Sequence, residues 1–212
     1  MKMLALEFSS AHRSVAVALD GEVGSERVET QGTATRVFEL IAGVLAAAQT
    51  DRAAIDTIAV GLGPGSYTGI RMAISIAHGW EIARPVTVIG LGSVDCLAEE
   101  ARRAGLRGPV TFVLDAQRQE IYQACYDVGE ESARLLEPLH LVGLREWAAP
   151  PGPVVSPDVL PGMQDVVRLF PTAATLARLA AKQPLPGPGS PPLEPIYLRA
   201  TTFVKAPPPR FG

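Results

Sequence analysis

The sequence has few residues of the kinds that staple a fold or ligate a metal. Its only two cysteines, Cys96 and Cys125, lie in different segments without a close Cys or His pattern. That spacing excludes a disulfide framework and a small zinc module, and it points to reduced thiols in a cytoplasmic protein. The three histidines, His12, His78 and His140, are more than sixty residues apart and read as surface or capping residues. No run approaches the ~20 apolar residues of a membrane span, and the N-terminal apolar run is broken at Glu7, so neither a membrane contact nor a signal peptide is expected. Charge is sparse: 19% of residues are charged, with 19 basic against 22 acidic, a net −3. Phosphate neutralisation by Lys and Arg supplies most nucleic-acid affinity, so this chain is not expected to hold RNA alone. Any RNA contact is expected through a complex in which another chain carries the basic surface.

What is present is apolar. Hydrophobic residues make up 47% of the 212 positions and the mean hydropathy is +0.19. A chain of this length builds one large domain or two compact lobes, with apolar surface left for a partner. Strands are expected at Leu4 to Phe8 and Ser14 to Leu19, followed by Asp20-Gly21, a hairpin turn that needs positive φ. A first helix spans Ala34 to Ala48, where Val37, Leu40, Ile41, Val44 and Leu45 recur at helical spacing. Next come a buried strand at Ile55 to Leu62, a turn at Gly63 to Ser66, a helix at Thr68 to Ala83 stopped before Pro85, a strand at Val86 to Ile89 and a helix at Val94 to Ala104. After Gly105 to Pro109 the order partly repeats. Strands are expected at Val110 to Asp115, Glu120 to Tyr126, Arg134 to His140 and Val154 to Ser156, with a short helix near Leu144 to Ala148 and another at Thr172 to Lys182. Each half runs strand, strand, strand, helix, strand, helix. This predicts an α/β fold with mixed sheets covered by helices, divided into lobes at 1–106 and 107–212. Pro184 to Pro195 reads as an extended connector and Pro207 to Pro209 as part of a loose tail.

The most specific segment is Gly61-Leu62-Gly63-Pro64-Gly65-Ser66-Tyr67-Thr68-Gly69-Ile70-Arg71, where a buried strand turns into a helix. Gly63, Pro64, Gly65, Ser66, Thr68 and Gly69 there form a loop suited to an anion, a nucleotide or a partner, since glycines let backbone amides approach a ligand at a helix N-terminus. The bland alternative is a tight turn that needs glycine for its geometry alone. The segment is neither a Walker loop nor a Rossmann fingerprint. Asp115, Arg118, Glu120 and Tyr122 form a polar alternation, read either as a second-lobe site or as a solvated edge.

As a whole this segment resembles the Gly-Pro-Gly-Ser-(Phe/Tyr)-Thr-Gly-(Leu/Ile)-Arg signature of the TsaB family, the YeaZ-type glycoprotease-like proteins. Leu4-Ala5-Leu6-Glu7-Phe8-Ser9-Ser10 with Ser14-Val15-Ala16-Val17 is similar to that family's first hairpin, Asp115 to Tyr122 to its second-lobe start, and Pro195-Ile196-Tyr197-Leu198-Arg199 to its ending. The resemblance implies an actin-like (ASKHA, ribonuclease H-like) fold of two lobes. It implies a cytoplasmic, noncatalytic partner of the catalytic subunit TsaD, with the small ATPase TsaE completing the assembly, and a homodimer as the form taken alone. That assembly transfers threonylcarbamoyl to the adenosine 3′ of the anticodon in tRNAs reading codons that begin with A. The resemblance assigns no cofactor to this chain, ATP and a metal ion belonging to the partner subunits. The chain departs from the family at Glu7, where Asp is usual, and at Gly32 to Thr35 with Leu40-Ile41-Ala42, where His-Ser and Leu-Leu-Pro are frequent.

The rival expectation is a stand-alone metalloprotease or ATPase of the same fold. The related catalytic subunit carries a His-x-x-x-His pair on the helix after the strand that follows its glycine loop. Here Ile89 to Ala98 contains no histidine, and Ser, Val and Leu do not replace imidazole as ligands. Gly63-Pro64-Gly65-Ser66 is not a Gly-x-Ser-x-Gly elbow. Glu7 and Asp115 stand where an actin-like ATPase places acids, but Ser9-Ser10 and Ala116-Gln117-Arg118 lack phosphate-loop glycines. Finally, the Thr68 to Ala83 helix is apolar nearly all round. Ile70, Ile74 and Ala77 are expected on its own sheet, while Met72 and Ile76 point elsewhere and are covered either by the second lobe or by a partner. The resemblance places the partner contact on these first two helices and so implies Val37, Ile41, Arg71, Met72 and Ile76 as partner-binding residues.

Overall fold

The computed structural model describes residues 1–30, 37–187 and 192–198. Strand β1 (Lys2–Glu7) pairs antiparallel with β2 (Arg13–Leu19), which pairs antiparallel with β3 (Glu22–Glu29). Asp20 and Gly21, at φ of 49° and 87°, make the turn between β2 and β3, as the two-residue connection requires. Strands β4 (Thr57–Gly61) and β5 (Thr87–Leu91) then add in parallel on the other side of β1, so the sheet order is β3-β2-β1-β4-β5. The second sheet is built from β6 (Gly108–Asp115), β7 (Glu120–Val128), β8 (Ala133–Gly143), β9 (Val154–Ser156) and β10 (Val166–Arg168). Its order, β8-β7-β6-β9-β10 read from the meander side, reproduces the first sheet strand for strand. The duplicated antiparallel meander extended by two parallel strands is the α/β actin-like architecture expected of the sequence.

The central strands are apolar on both faces because helices cover both. Leu4, Leu6 and Phe8 face one side, where Val37, Ile41, Val44 and Leu45 of α1 (Val37–Ala47) and Ile70, Ala73, Ile74 and Ala77 of α2 (Tyr67–Ala83) pack. Met3, Ala5, Ala16, Ala18 and Ala59 face the other side and meet Ala173, Ala174, Leu176, Ala177 and Ala180 of α4 (Ala173–Ala180). Alanines on both partners let the helix backbone lie close to the sheet, with Leu176 filling the remaining space. The start of α4 is tied down by its neighbours. The Ala173 N–H donates to Ser14 Oγ at 2.7 Å, Ala174 N–H to Glu26 Oε1 at 2.9 Å and Thr175 N–H to the N-cap Thr172 Oγ1 at 3.1 Å. Three of the N–H groups that a helix start leaves orphaned are thereby satisfied, one of them by an acid well placed for the helix dipole.

Helices are exchanged between the sequence halves. α4, from the second half, covers the first sheet, whereas α3 (Ser93–Arg103), from the first half, buries Val94, Leu97, Ala98 and Ala101 against Phe112, Tyr122 and Tyr126 of the second. The strands divide near residue 106, and the helices do not.

Two elements differ from expectation. Residues 144–146 form a turn rather than a helix, with the N–H groups of Glu146 and Trp147 both donating to Gly143 O. Pro150 and Pro151 end the segment before a second turn can add the hydrogen bonds that repay helix nucleation. Leu144, Trp147, Leu160 and Met163 therefore cover Val113, Ile121 and Val154 from loops, on the face that α1 and α2 cover in the first lobe. β10 is a three-residue strand that sequence pattern did not mark. The connector is free of helix and strand at 184–187 and 192–195, and the rest of it and the Pro207 to Pro209 tail lie outside the described residues.

Candidate functional site

The glycine loop is shaped by its own hairpin. Gly65 has φ of +144°, and a Cβ there would run into the carbonyl oxygen of Ser9; one on Gly69 would run into that of Phe8. The Ser66 N–H donates to Ser9 O at 2.7 Å, and Ser66 Oγ accepts from Gly69 N–H at 3.3 Å as the N-cap of α2. The close approach that glycine permits is thus used by the segment after β1. Gly65 and Ser66 still line a cleft between the lobes, Thr68 is exposed, and Gly63, Pro64 and Gly69 are buried.

Glu7 is fully buried and takes no part in lining that cleft. Its Oε1 accepts from Ser9 N–H at 2.8 Å and its Oε2 from Ser93 Oγ at 2.9 Å. Burial pushes its carboxyl above the ordinary range, against the opposing pull of the Ser9 and Ser93 hydrogen bonds. A first-strand acid placed this way fastens the hairpin to the start of α3.

The cleft has a volume of about 1420 Å³. Asp115, Arg118 and Tyr122 reach it, but not as neighbours on one strand, which corrects the sequence expectation. Asp115 ends β6, Arg118 sits in the connecting turn with Gln117 and Gln119, all three at left-handed φ, and Glu120 opens β7. The reversal places Asp115 opposite Ile121. Tyr122 is in the second lobe's core, so it is no solvated edge residue. Asp115 is engaged locally, accepting from the N–H and Nε2 of Gln117 at 2.7 and 2.6 Å, while its own N–H donates to Asp158 Oδ2 at 3.0 Å. Burial raises the Asp158 carboxyl, with the Asp115 charge adding to the rise and the Asp115 N–H and Arg168 opposing it. Across the cleft, Arg71 lies 5.2 Å over the Tyr67 ring and donates to its hydroxyl at 3.1 Å.

A second concavity, of about 760 Å³, lies between α1 and α2 beside the turn at Arg52–Ala54. Its wall is apolar, built from Phe38, Met72, Ile76, Gly79, Trp80 and Ala83. The partner surface expected from sequence needs three corrections. Val37 and Ile41, at 1% and 0% exposure, are core residues at the floor of this groove, because the face of α1 that carries them packs on β2 and β3. Arg71 lines the inter-lobe cleft, not the groove. Met72 and Ile76 do reach the groove, partly buried against the core. The residue missed is Phe38, 62% exposed at the groove's edge. Its signal was an apolar residue off the helical stripe set by Val37, Ile41 and Val44.

The histidines serve separate local roles. His12 stacks on Phe170 at 3.4 Å, with its imidazole pushed below the ordinary value by burial and by Arg168; His78 faces Glu81 on α2; His140 faces Glu137 and Pro138 on β8. Among the described residues no cluster of three His, Cys, Asp or Glu could hold a metal ion, and no helix is long and apolar enough to cross a membrane.

The family model described as TsaD, tRNA N6-adenosine threonylcarbamoyltransferase, matches residues 30–156. The tRNA threonylcarbamoyladenosine biosynthesis protein TsaB of Escherichia coli K12 is 31% identical over 150 residues, 65% of this chain and 63% of that protein. The TsaB of Haemophilus influenzae is 31% identical over 123 residues, 58% of this chain and 52% of that protein. The solved structure of YeaZ from Pseudomonas aeruginosa superposes with a TM-score of 0.74 at 26% identity, covering 93% of this chain and 99% of that one. The chain belongs to this TsaD-type family, as a TsaB (YeaZ-type) member of it. The aligned part spans less than two thirds of either TsaB relative's length. Where sequence reading looked for a family metal pair, this TsaB-type chain uses the start of α3 for packing. Ser93 is bonded to Glu7, and Val94, Leu97 and Ala98 are buried.

Proposed function

We propose that this chain is the noncatalytic scaffold and activating subunit of a cytoplasmic complex that transfers threonylcarbamoyl to the adenosine 3′ of the anticodon in tRNAs reading codons that begin with A. It binds a TsaD-like catalytic subunit through the groove between α1 and α2. A TsaE-like ATPase joins the larger assembly, ATP and the metal ion are held by those partners, and tRNA is engaged through the complex. The observation that carries this reading is the apolar groove with Phe38 exposed at its edge, on a chain whose relatives are named for threonylcarbamoyladenosine biosynthesis. Large exposed aromatics at the mouth of an apolar concavity are what an interface anchor requires.

The test is reconstitution. The purified chain alone is expected to turn over neither ATP, a casein-type substrate nor threonylcarbamoyl-adenylate, and to support transfer to tRNA once the catalytic subunit is added. Hydrolysis by the chain alone that survives repurification and is lost in Asp115→Asn would overturn the proposal in favour of a stand-alone enzyme.

A further inference from the structure

The groove between α1 and α2 carries a charge pattern that its apolar wall does not explain. Among the described residues, the only charged ones lining it are Arg52 and Arg84, both at the end where α2 stops beside the Arg52–Ala54 turn. Arg84 Nη1 donates to Arg52 O at 3.1 Å, which holds the guanidinium in place. Its Nε is buried and has no hydrogen-bond partner. The dipole of α2 accounts for a cation at this end, but not for one fixed with a donor withdrawn from water. Leaving a buried donor unpaired is costly, so an acceptor brought to Arg84 Nε gains more than one brought to a solvated group.

The floor of the groove has a matching shape. Ser75, Gly79 and Ala83 recur at every fourth position of α2, and a Cβ on Gly79 would meet nothing within 4 Å. On one flank of this row of small residues stands the ridge of Met72, Ile76 and Trp80. On the other flank, by helical spacing, stands Ile82, which is 88% exposed. A furrow of small side chains between apolar flanks is what the ridge of another helix packs into. A second copy of this chain is a poor occupant, because it would bring Arg52 and Arg84 and no acid that lines the groove.

Resting on the partner role proposed above, we infer that the groove takes an apolar helix of the catalytic subunit that carries a carboxylate, and that Arg84 binds this carboxylate through Nε and a neighbouring Nη. The apolar flanks supply the area of the contact. The carboxylate sets its register, since one placement of the helix along the furrow brings the acid to Arg84. Arg84 is thus a specificity-determining residue for the partner, and Gly79 sets how closely that partner approaches.

The experiment measures affinity and dissociation rate for the TsaD-like catalytic subunit with the full chain and with Arg84→Met, Arg84→Lys and Gly79→Leu, each first checked by thermal melting. Arg84→Met is expected to weaken binding more than about tenfold, chiefly through faster dissociation. Arg84→Lys should recover only part of the loss, since an ammonium lacks the two-pronged fork. Gly79→Leu, at an open position, should melt no lower than wild type and weaken binding by a similar factor. In a second arm, each Asp and Glu of the catalytic subunit is neutralised singly to Asn or Gln. One of these changes is expected to weaken binding to the wild-type chain more than about tenfold and to add little in Arg84→Met, the signature of a direct pair. If the Arg84 variants fail to fold, the neutralisations against the wild-type chain and Gly79→Leu still decide. Wild-type affinity in Arg84→Met and Gly79→Leu, with Phe38→Asp still unable to bind, would overturn the inference and leave the proposed function standing. So would the absence of any acid on the catalytic subunit whose neutralisation weakens binding. A wild-type chain that does not bind the catalytic subunit at all would overturn the proposed function and this inference with it.

Discussion

The hydroxyl of Ser93 donates to Glu7 Oε2 at 2.9 Å, joining the end of β1 to the first residue of α3 across 86 positions of sequence. Ser93 Oγ also accepts from Gly63 N–H at 3.1 Å, and its own N–H donates to Gly63 O at 2.7 Å. One buried carboxyl therefore holds together the first hairpin, the glycine loop and the helix that crosses to the second lobe. Glu7 stands where the family usually has Asp, and its longer arm lies directly over Gly61, where any side chain would meet the carboxyl.

This placement fixes how stability depends on pH. The folded-state pKa of Glu7 is raised above its ordinary 4.5, so between that value and the folded pKa the native state holds a proton that the unfolded chain has released. Stability contributed by Glu7 is full below 4.5 and falls as pH rises through this window. Glu7→Gln, which keeps an acceptor for Ser9 N–H and cannot ionise, is expected to flatten that decline and to melt no lower than wild type at pH 8. Glu7→Ala leaves the Ser9 N–H and Ser93 unpaired around a cavity and is expected to cost about 3 kcal/mol. Thermal melts across pH 4 to 9 decide; a Gln variant as damaged as the Ala variant would mean that the carboxylate is the form the fold requires.

Gly65 and Gly79 should respond in opposite directions. At Gly65 a side chain meets both a left-handed φ and the Ser9 carbonyl, so Gly65→Val is expected to destabilise by roughly 1–3 kcal/mol. Gly79 is inside α2 with nothing within 4 Å of a Cβ, so Gly79→Ala should stabilise by about 0.5–1 kcal/mol through helix propensity. Urea melts of the isolated chain read both, and equal effects at the two positions would contradict this account of the loop.

Local features of the fold were legible in the sequence, and nonlocal ones were not. Asp20-Gly21, the stop at Pro85 and the buried runs of β1 and β4 announce themselves because turn chemistry and double-sided burial act over a few residues. The exchange of α3 and α4 between sheets leaves no local mark. An alanine-rich helix such as Ala173–Ala180 carries the same pattern whichever sheet it covers. The polar set at Asp115 to Tyr122 was misplaced because three consecutive left-handed residues, none of them glycine, turn the chain where alternation suggested a continuous strand. In the groove, Met72 and Ile76 were recoverable from the all-round apolar pattern of α2. Phe38 was not, since the depth of its neighbours Val37 and Ile41 depends on how α1 sits on β2 and β3.

Helix exchange also predicts how the chain unfolds. A fragment of residues 1–106 contains every strand of the first sheet but lacks α4, leaving Met3, Ala5, Ala16, Ala18 and Ala59 uncovered. It is expected to show no cooperative thermal transition, and Leu176→Ala in the full chain should cost about 2–5 kcal/mol while preserving a single transition. A fragment that melts sharply on its own would show that α4 is dispensable to the first lobe.

The groove between α1 and α2 offers the clearest separation of folding from binding. Phe38 is largely exposed in the isolated chain, so Phe38→Asp should change its stability by no more than about 0.5 kcal/mol. Ile76 and Met72 pack partly on the core, so an Asp at either costs some stability as well, whereas Ile74, buried on the sheet side of α2, should not tolerate Asp at all. At an interface, a charge set into an apolar anchor position typically costs about 2 kcal/mol or more, over an order of magnitude in affinity. Phe38→Asp should therefore melt like wild type yet fail to co-elute with the catalytic subunit and fail to support threonylcarbamoyl transfer. Sedimentation of the same variant separates the two candidate occupants. Loss of self-association with transfer intact would assign the groove to a second copy of the chain, and wild-type behaviour in both assays would remove it as a docking surface.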